Sequence, residues 1–226
     1  MHQQDSNGMT RKSLSGFIAD QLKSRIWNKE IQLGERLLES DLAYVFDVSR
    51  STIREALISL ESEGIAVSHA RKGTYVASFS QQDIDEIIEL RTLLEKHAFA
   101  QAYYFLEKHH VNDLQAVVDQ MKTKADESNW NALFNLDMQF HNYVVRMCGN
   151  SRMINIYDSL QVQIRTYLMH IDQYYSSYHS FYDEHKQLLQ ALVSNDVNKV
   201  KRGVRHHIKY VETKLLGKRN KEFEEV

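Results

Sequence analysis

Apolar residues recur along this chain mostly at the period of a helix, with one short interval at the period of a strand. Leu14, Phe17, Ile18, Leu22 and Ile26 predict an amphipathic helix from about Leu14 to Trp27. Gly34 breaks the pattern, and a short helix from about Glu39 carries Leu42, Ala43 and Phe46. Asp47-Val48-Ser49 reads as a tight turn. A third helix starts near Ser49 or Ser51, with Thr52 and Glu55 at capping-box spacing as a further start signal. Its apolar positions Ile53, Ala56, Leu57 and Leu60 fall on one face, and Gly64 stops it. Ile65-Ala66-Val67 and Thr74-Tyr75-Val76-Ala77 are short β-type runs, with Arg71-Lys72-Gly73 as turn chemistry between them. Residues 11–79 therefore read helix, helix, turn, helix, hairpin.

After Ser80 the pattern is helical only. Residues 82–107, 110–127, 129–148, 151–171, 178–194 and 196–216 each carry apolar positions at the 3.6 period. A second domain over 80–217 follows, an antiparallel all-α bundle, and the fold class is mainly α. Residues 1–10 read as a disordered start and the charged tail Lys218–Val226 as a fraying end.

Composition sharpens this picture. The 226 residues include no proline, where average usage of about 5% predicts roughly 11. Long uninterrupted helices fit that, and an all-β fold does not. No stretch of about 18 apolar residues spans a membrane, and the start lacks the apolar run of a signal peptide. A single cysteine, Cys148, makes no internal disulfide, so the expected compartment is a reducing cytoplasm. Net charge is −2, and residues 1–79 balance ten Lys/Arg against ten Asp/Glu, so charge alone does not announce nucleic acid.

Local geometry does. Two short helices joined by a tight turn form a helix-turn-helix, whose second helix enters a DNA major groove. Arg50 and Arg54 are four apart and share the face opposite Ile53, Ala56 and Leu57. An arginine near a helix N-terminus offers two donors to guanine, while the hydroxyls of Ser49, Ser51 and Thr52 suit phosphate. The basic hairpin tip Arg71-Lys72-Gly73 suits a minor groove. The bland alternative is a small helical domain with a solvated arginine face.

Four segments in order carry a resemblance. They are Gly34-Glu35-Arg36-Leu37-Leu38-Glu39-Ser40-Asp41-Leu42-Ala43, Val48-Ser49-Arg50-Ser51-Thr52-Ile53-Arg54-Glu55-Ala56-Leu57, Leu60-Glu61-Ser62-Glu63-Gly64-Ile65 and Gly73-Thr74-Tyr75-Val76. Together they resemble the winged helix-turn-helix of GntR-family bacterial transcription regulators. The resemblance implies DNA contacts by Arg50 and Arg54 and a minor-groove approach at Gly73. Thr52 stands where the family often has proline, and Ser40 where it often has a basic residue.

The second domain holds a different chemistry. Asp137 and His141 are i and i+4 on one helix and point the same way. His185 and His207 each lie 11 residues from a turn centred on Asp196, which brings them to one level of an antiparallel pair, roughly 16 Å from the turn. His185 shares a face with Phe181, Leu188, Leu189 and Leu192, and His207 with Val200, Val204 and Val211, whereas His206 lies with Arg202 and Gly203. Three imidazoles and a carboxylate suit Zn²⁺, Ni²⁺ or another divalent transition metal. Core histidines bonded to their neighbours are the alternative.

Residues 80–216 are similar to the FCD effector domain of the FadR-like branch of the same family. That resemblance implies a divalent metal on Asp137, His141, His185 and His207, with Arg91 and Glu95 matching the first helix of the domain. It also implies a small organic acid as effector, with Arg91 and Arg165 as candidates for its carboxylate. For each arginine a salt bridge within the bundle is the competing role. Tyr167, Tyr174, Tyr175 and Tyr178 are either pocket lining or core. The expected protein is a cytoplasmic, homodimeric regulator, usually a repressor in this family, that binds a palindromic operator and responds to a metabolite. The rival is a metal-dependent enzyme using the Asp/His₃ site to activate water.

Overall fold

A computed structural model describes residues 13–170 and 177–209. The chain divides into two compact units at the Ala77–Ser78 junction. The expected disordered start, the charged tail, Tyr174, Tyr175, Val211 and the end of the last helix lie outside the described residues.

The first unit runs α1 (Leu14–Trp27), β1 (Arg36–Leu37), α2 (Glu39–Phe46), α3 (Arg50–Ser62), β2 (Ala66–His69) and β3 (Gly73–Val76). Ile18, Leu22 and Ile26 of α1 meet Ile53, Leu60 and the α2 residue Leu42 in one apolar core, with α3 packed between the other two helices. Lys23 Nζ donates to Glu63 Oε2 at 2.8 Å and ties α1 to the end of α3. Asp47 takes a left-handed turn at φ 52°, ending α2 and starting the approach to α3. α3 starts at Ser49 as expected, but the Thr52–Glu55 capping box does not form. Ser49 is the N-cap, and its hydroxyl accepts from Thr52 N, so Thr52 sits at the third helical position rather than capping with Glu55. The three strands form an antiparallel sheet in the order β1-β3-β2. β1 is an addition to the expected hairpin: at two residues it is too short to show alternation.

The second unit runs α4 (Gln81–Ala102), α5 (Lys108–Asp126), α6 (Trp130–Met147), α7 (Ser151–His170), α8 (Tyr178–Leu192) and α9 (197–209). A capping box between Ser80 and Asp83 opens α4. α4 stops at Ala102, earlier than the expected 107, and a 3-10 turn over Tyr103–Phe105 follows. α6 is the central helix, packed against α4, α5, α7 and α8. That placement explains its run of buried residues, which includes Asp137 and His141 beside Phe134, Phe140 and Val144. Gly203 lets α9 approach α8 closely: a Cβ there would lie 3.1 Å from the Ala191 Cβ. No described helix is long and apolar enough to cross a membrane.

Candidate metal centre and DNA-binding face

The bundle buries four ionisable groups at one point. Asp137 and His141 on α6, His185 on α8 and His207 on α9 each offer a ligand atom, all within 4.8 Å of one another. His141 and His185 are fully enclosed, and Asp137 and His207 nearly so. The matched offsets of His185 and His207 place their ring centroids 4.6 Å apart, while His206 is exposed.

The orientation of the rings tests whether a cation fits. His185 Nδ1 lies 2.8 Å from the Phe181 carbonyl, which only accepts, so Nδ1 carries a proton. The other nitrogen, Nε2, then faces Asp137 Oδ1 at 2.9 Å. His141 Nδ1 lies 2.7 Å from Glu95 Oε2. That distance sets a carboxylate behind the His141 ring. His141 Nε2 faces His207 Nε2 at 3.1 Å and Asp137 Oδ1 at 3.6 Å. His207 Nδ1 faces Glu184 Oε2 at 3.5 Å. One nitrogen from each of three imidazoles and one carboxylate oxygen thus converge, with the Phe181 carbonyl behind His185 and the carboxylates of Glu95 and Glu184 facing the outer nitrogens of His141 and His207. That is the arrangement of metal-ligating histidines and their supporting shell. Burial, then the neighbouring His185 and His141, pushes the His207 imidazole well below its ordinary value. It is held neutral, the form that donates a lone pair. The residues therefore fit a divalent metal.

A buried ion network surrounds the cluster. Arg91 Nε donates to Glu95 Oε1 at 2.8 Å, and its Nη2 approaches Asp137 Oδ2 at 3.4 Å. Tyr157 donates to Glu95 Oε1 at 2.7 Å. Burial pushes the Glu95 carboxyl up, but Arg91 and then His141 outweigh it and hold it at about 2. Asp137 likewise stays below the carboxylate range, because Arg91 and His141 overcome its burial. Arg91 does not stand free for an effector carboxylate: two internal carboxylates already occupy its guanidinium. Arg165 on α7 is partly buried, and that burial pushes its guanidinium down to about 10, still cationic at neutral pH. Tyr167 is buried, and Tyr178 packs on Trp130 with ring centroids 4.4 Å apart.

In the first unit Arg50 and Ser51 are exposed at the start of α3. The Ser49 hydroxyl is engaged by the helix cap and lies 2.7 Å from Ser51 Oγ and 2.8 Å from Thr52 Oγ1. Arg54 is exposed, and Glu39 of α2 accepts from its Nε at 3.0 Å and Nη2 at 2.7 Å. The other edge of that guanidinium is left to solvent. Arg71, Lys72 and Gly73 form the exposed hairpin tip, where Arg71 and Gly73 both take positive φ.

Residues 86–210, more than half of the chain, match the FCD domain family, and residues 14–76 match the gntR family of bacterial regulatory proteins. The chain belongs to the GntR family. This GntR regulator is 28% identical over 193 residues to a gluconate operon transcriptional repressor of Bacillus licheniformis, covering 83% of this chain and 79% of that one. It is 26% identical to an Exu regulon transcriptional regulator of Escherichia coli strain K12, covering 92% and 86%. The solved structure of E. coli McbR/YncC shares the fold at a TM-score of 0.71 and 20% identity, over 93% of this chain and 99% of that one. The GntR regulator is a DNA-binding transcription regulator and not an enzyme, which sets aside the hydrolytic reading of the Asp/His₃ cluster.

Spacing did not single out Glu95, Tyr157 and Glu184 as neighbours of the cluster. Only Glu95 carried a usable signal: it sits four residues after Arg91 in an otherwise apolar stripe of α4.

Proposed function

We propose that this GntR regulator binds an operator as a homodimer and changes its grip when a small organic acid binds at a divalent metal inside the bundle. One observation carries the reading: three imidazole nitrogens and the Asp137 carboxylate face one another in an apolar core. A proton or a cation among acceptors crowded this way relieves their repulsion, and an imidazole-rich set with carbonyl and carboxylate groups behind it suits a divalent metal. Asp137, His141, His185 and His207 would hold it. Imidazole-rich sets favour zinc or nickel. When bound, the metal supplies a positive charge able to hold a carboxylate. Arg91, which also pairs with Asp137 and Glu95, and Arg165 are the candidates for the effector's carboxylate.

At the DNA end Arg50 and Arg54 read the major groove, with Ser51 and Thr52 beside them for phosphate and Ser49 holding the helix start. Arg71, Lys72 and Gly73 enter the minor groove. Glu39 fixes one edge of Arg54 and aims the other. Repression is the mode that the named repressors among the relatives favour. Gluconate, the acid in the Bacillus relative's name, is the first effector to try. An effector changes operator affinity only by binding the two conformations unequally.

The test is fluorescence anisotropy of labelled DNA from upstream of the protein's own gene, titrated with the full chain and a panel of sugar acids. One acid releases the DNA, and the response disappears after chelation or in His207→Ala. An undiminished response in metal-stripped protein would overturn the metal's part.

A further inference from the structure

The exposed face of the wing sheet carries a stacked row outside the DNA-reading residues named above. β1 and β3 place Arg36 opposite Tyr75, and β2 places Val67 on the other side of the same tyrosine. Leu37 is buried, so strand alternation turns Arg36 outward. Its guanidinium lies over the Tyr75 ring, 5.9 Å from the centroid. Gly73 and Tyr75 are two apart on β3 and share that face. A Cβ added at Gly73 would lie 3.3 Å from Arg36 Nε and Nη2. The glycine therefore serves its own positive φ and also leaves the seat in which the arginine rests against the wing tip.

The seat itself is braced. The Tyr75 hydroxyl donates to the Lys72 carbonyl at 3.2 Å, and its ring lies 5.6 Å from that of His69. Lys72 N donates to the His69 carbonyl and closes the turn. Arg54 has Glu39 as an internal partner, whereas Arg36 makes no ion pair among the described residues. A guanidinium stacked on one face, with its donor edges in water, meets an anion without first breaking an internal pair.

We propose that Arg36 is a further DNA-contacting residue: its guanidinium, seated on Tyr75 beside Gly73, binds a backbone phosphate flanking the groove that the wing tip enters. This rests on the wing reading of Arg71, Lys72 and Gly73. The test measures operator and random-duplex affinity of the full chain across a salt series. Arg36→Ala makes the log–log slope shallower by about 0.9 on both DNAs, so it loses about 3.5-fold less affinity between 50 and 200 mM salt. Arg36→Gln, which keeps the length of the side chain, gives the same change should Arg36→Ala fail to fold. Arg36→Lys keeps the slope through its charge, and Tyr75→Phe keeps it through the ring. A wild-type slope in both Arg36→Ala and Arg36→Gln overturns the proposal. A loss confined to the operator also overturns it, since that marks base readout. Lys72→Ala separates the two levels: if it flattens the slope and Arg36→Ala does not, the wing reading stands and only the Arg36 contact falls. If neither does, both fall.

Discussion

A core histidine normally satisfies both ring nitrogens with its neighbours. In His185 the Phe181 carbonyl takes Nδ1, and the partner left to Nε2 is the carboxylate of Asp137, itself one of the clustered groups. Glu95 plays the backing part for His141, and it is the residue whose loss is most informative. Glu95→Gln keeps the volume but removes the charge behind the ring. Metal affinity, read by competition with a chromophoric chelator, falls roughly 10–100-fold. Unchanged affinity would show that Glu95 serves only Arg91 and Tyr157. The meeting of the four clustered residues was legible in the sequence, because helix period and distance from a turn fix both face and height. That arithmetic separated His207 from His206. Backing residues come from other helices at no fixed spacing, so Glu95 and Glu184 needed the fold. Arg91 shows the same limit: its face was legible, but its two partners were not.

Among the elements, α3 and α9 carry the sharpest expectations. Arg50 stands exposed at the start of α3. Each bidentate arginine–guanine pair is worth about 1–3 kcal/mol of base discrimination. Arg50→Ala should lose that much on the operator and little on random DNA, compared in parallel anisotropy titrations. Equal losses on both would reduce Arg50 to a phosphate contact. α9 depends on Gly203, which faces Ala191 and Leu188 across α8. Gly203→Leu overpacks this contact and should cost about 1–3 kcal/mol in urea unfolding, moving His207 away from its partners. A wild-type unfolding midpoint would show that the two helices have room to part. Long helices were read to within a few residues because their apolar stripes repeat many times. β1, with two residues, and the 3-10 turn after α4 offered no repeat to read.

For the molecule as a whole, the gntR match and the FCD match fall in different units of one chain. The palindromic operator reading requires two copies. Light scattering of the full chain should give twice 26.5 kDa at micromolar concentration. A monomer at that concentration would remove the paired half-site geometry. The proposed regulation turns on the cluster inside the bundle. Its most direct test is the metal content of purified full-length protein by plasma mass spectrometry, with His206→Ala and His207→Ala prepared alongside. Wild type and His206→Ala should each carry about one divalent transition metal per chain, and His207→Ala should lose it. Full metal in His207→Ala, or none in wild type after metal-replete expression, would contradict the account.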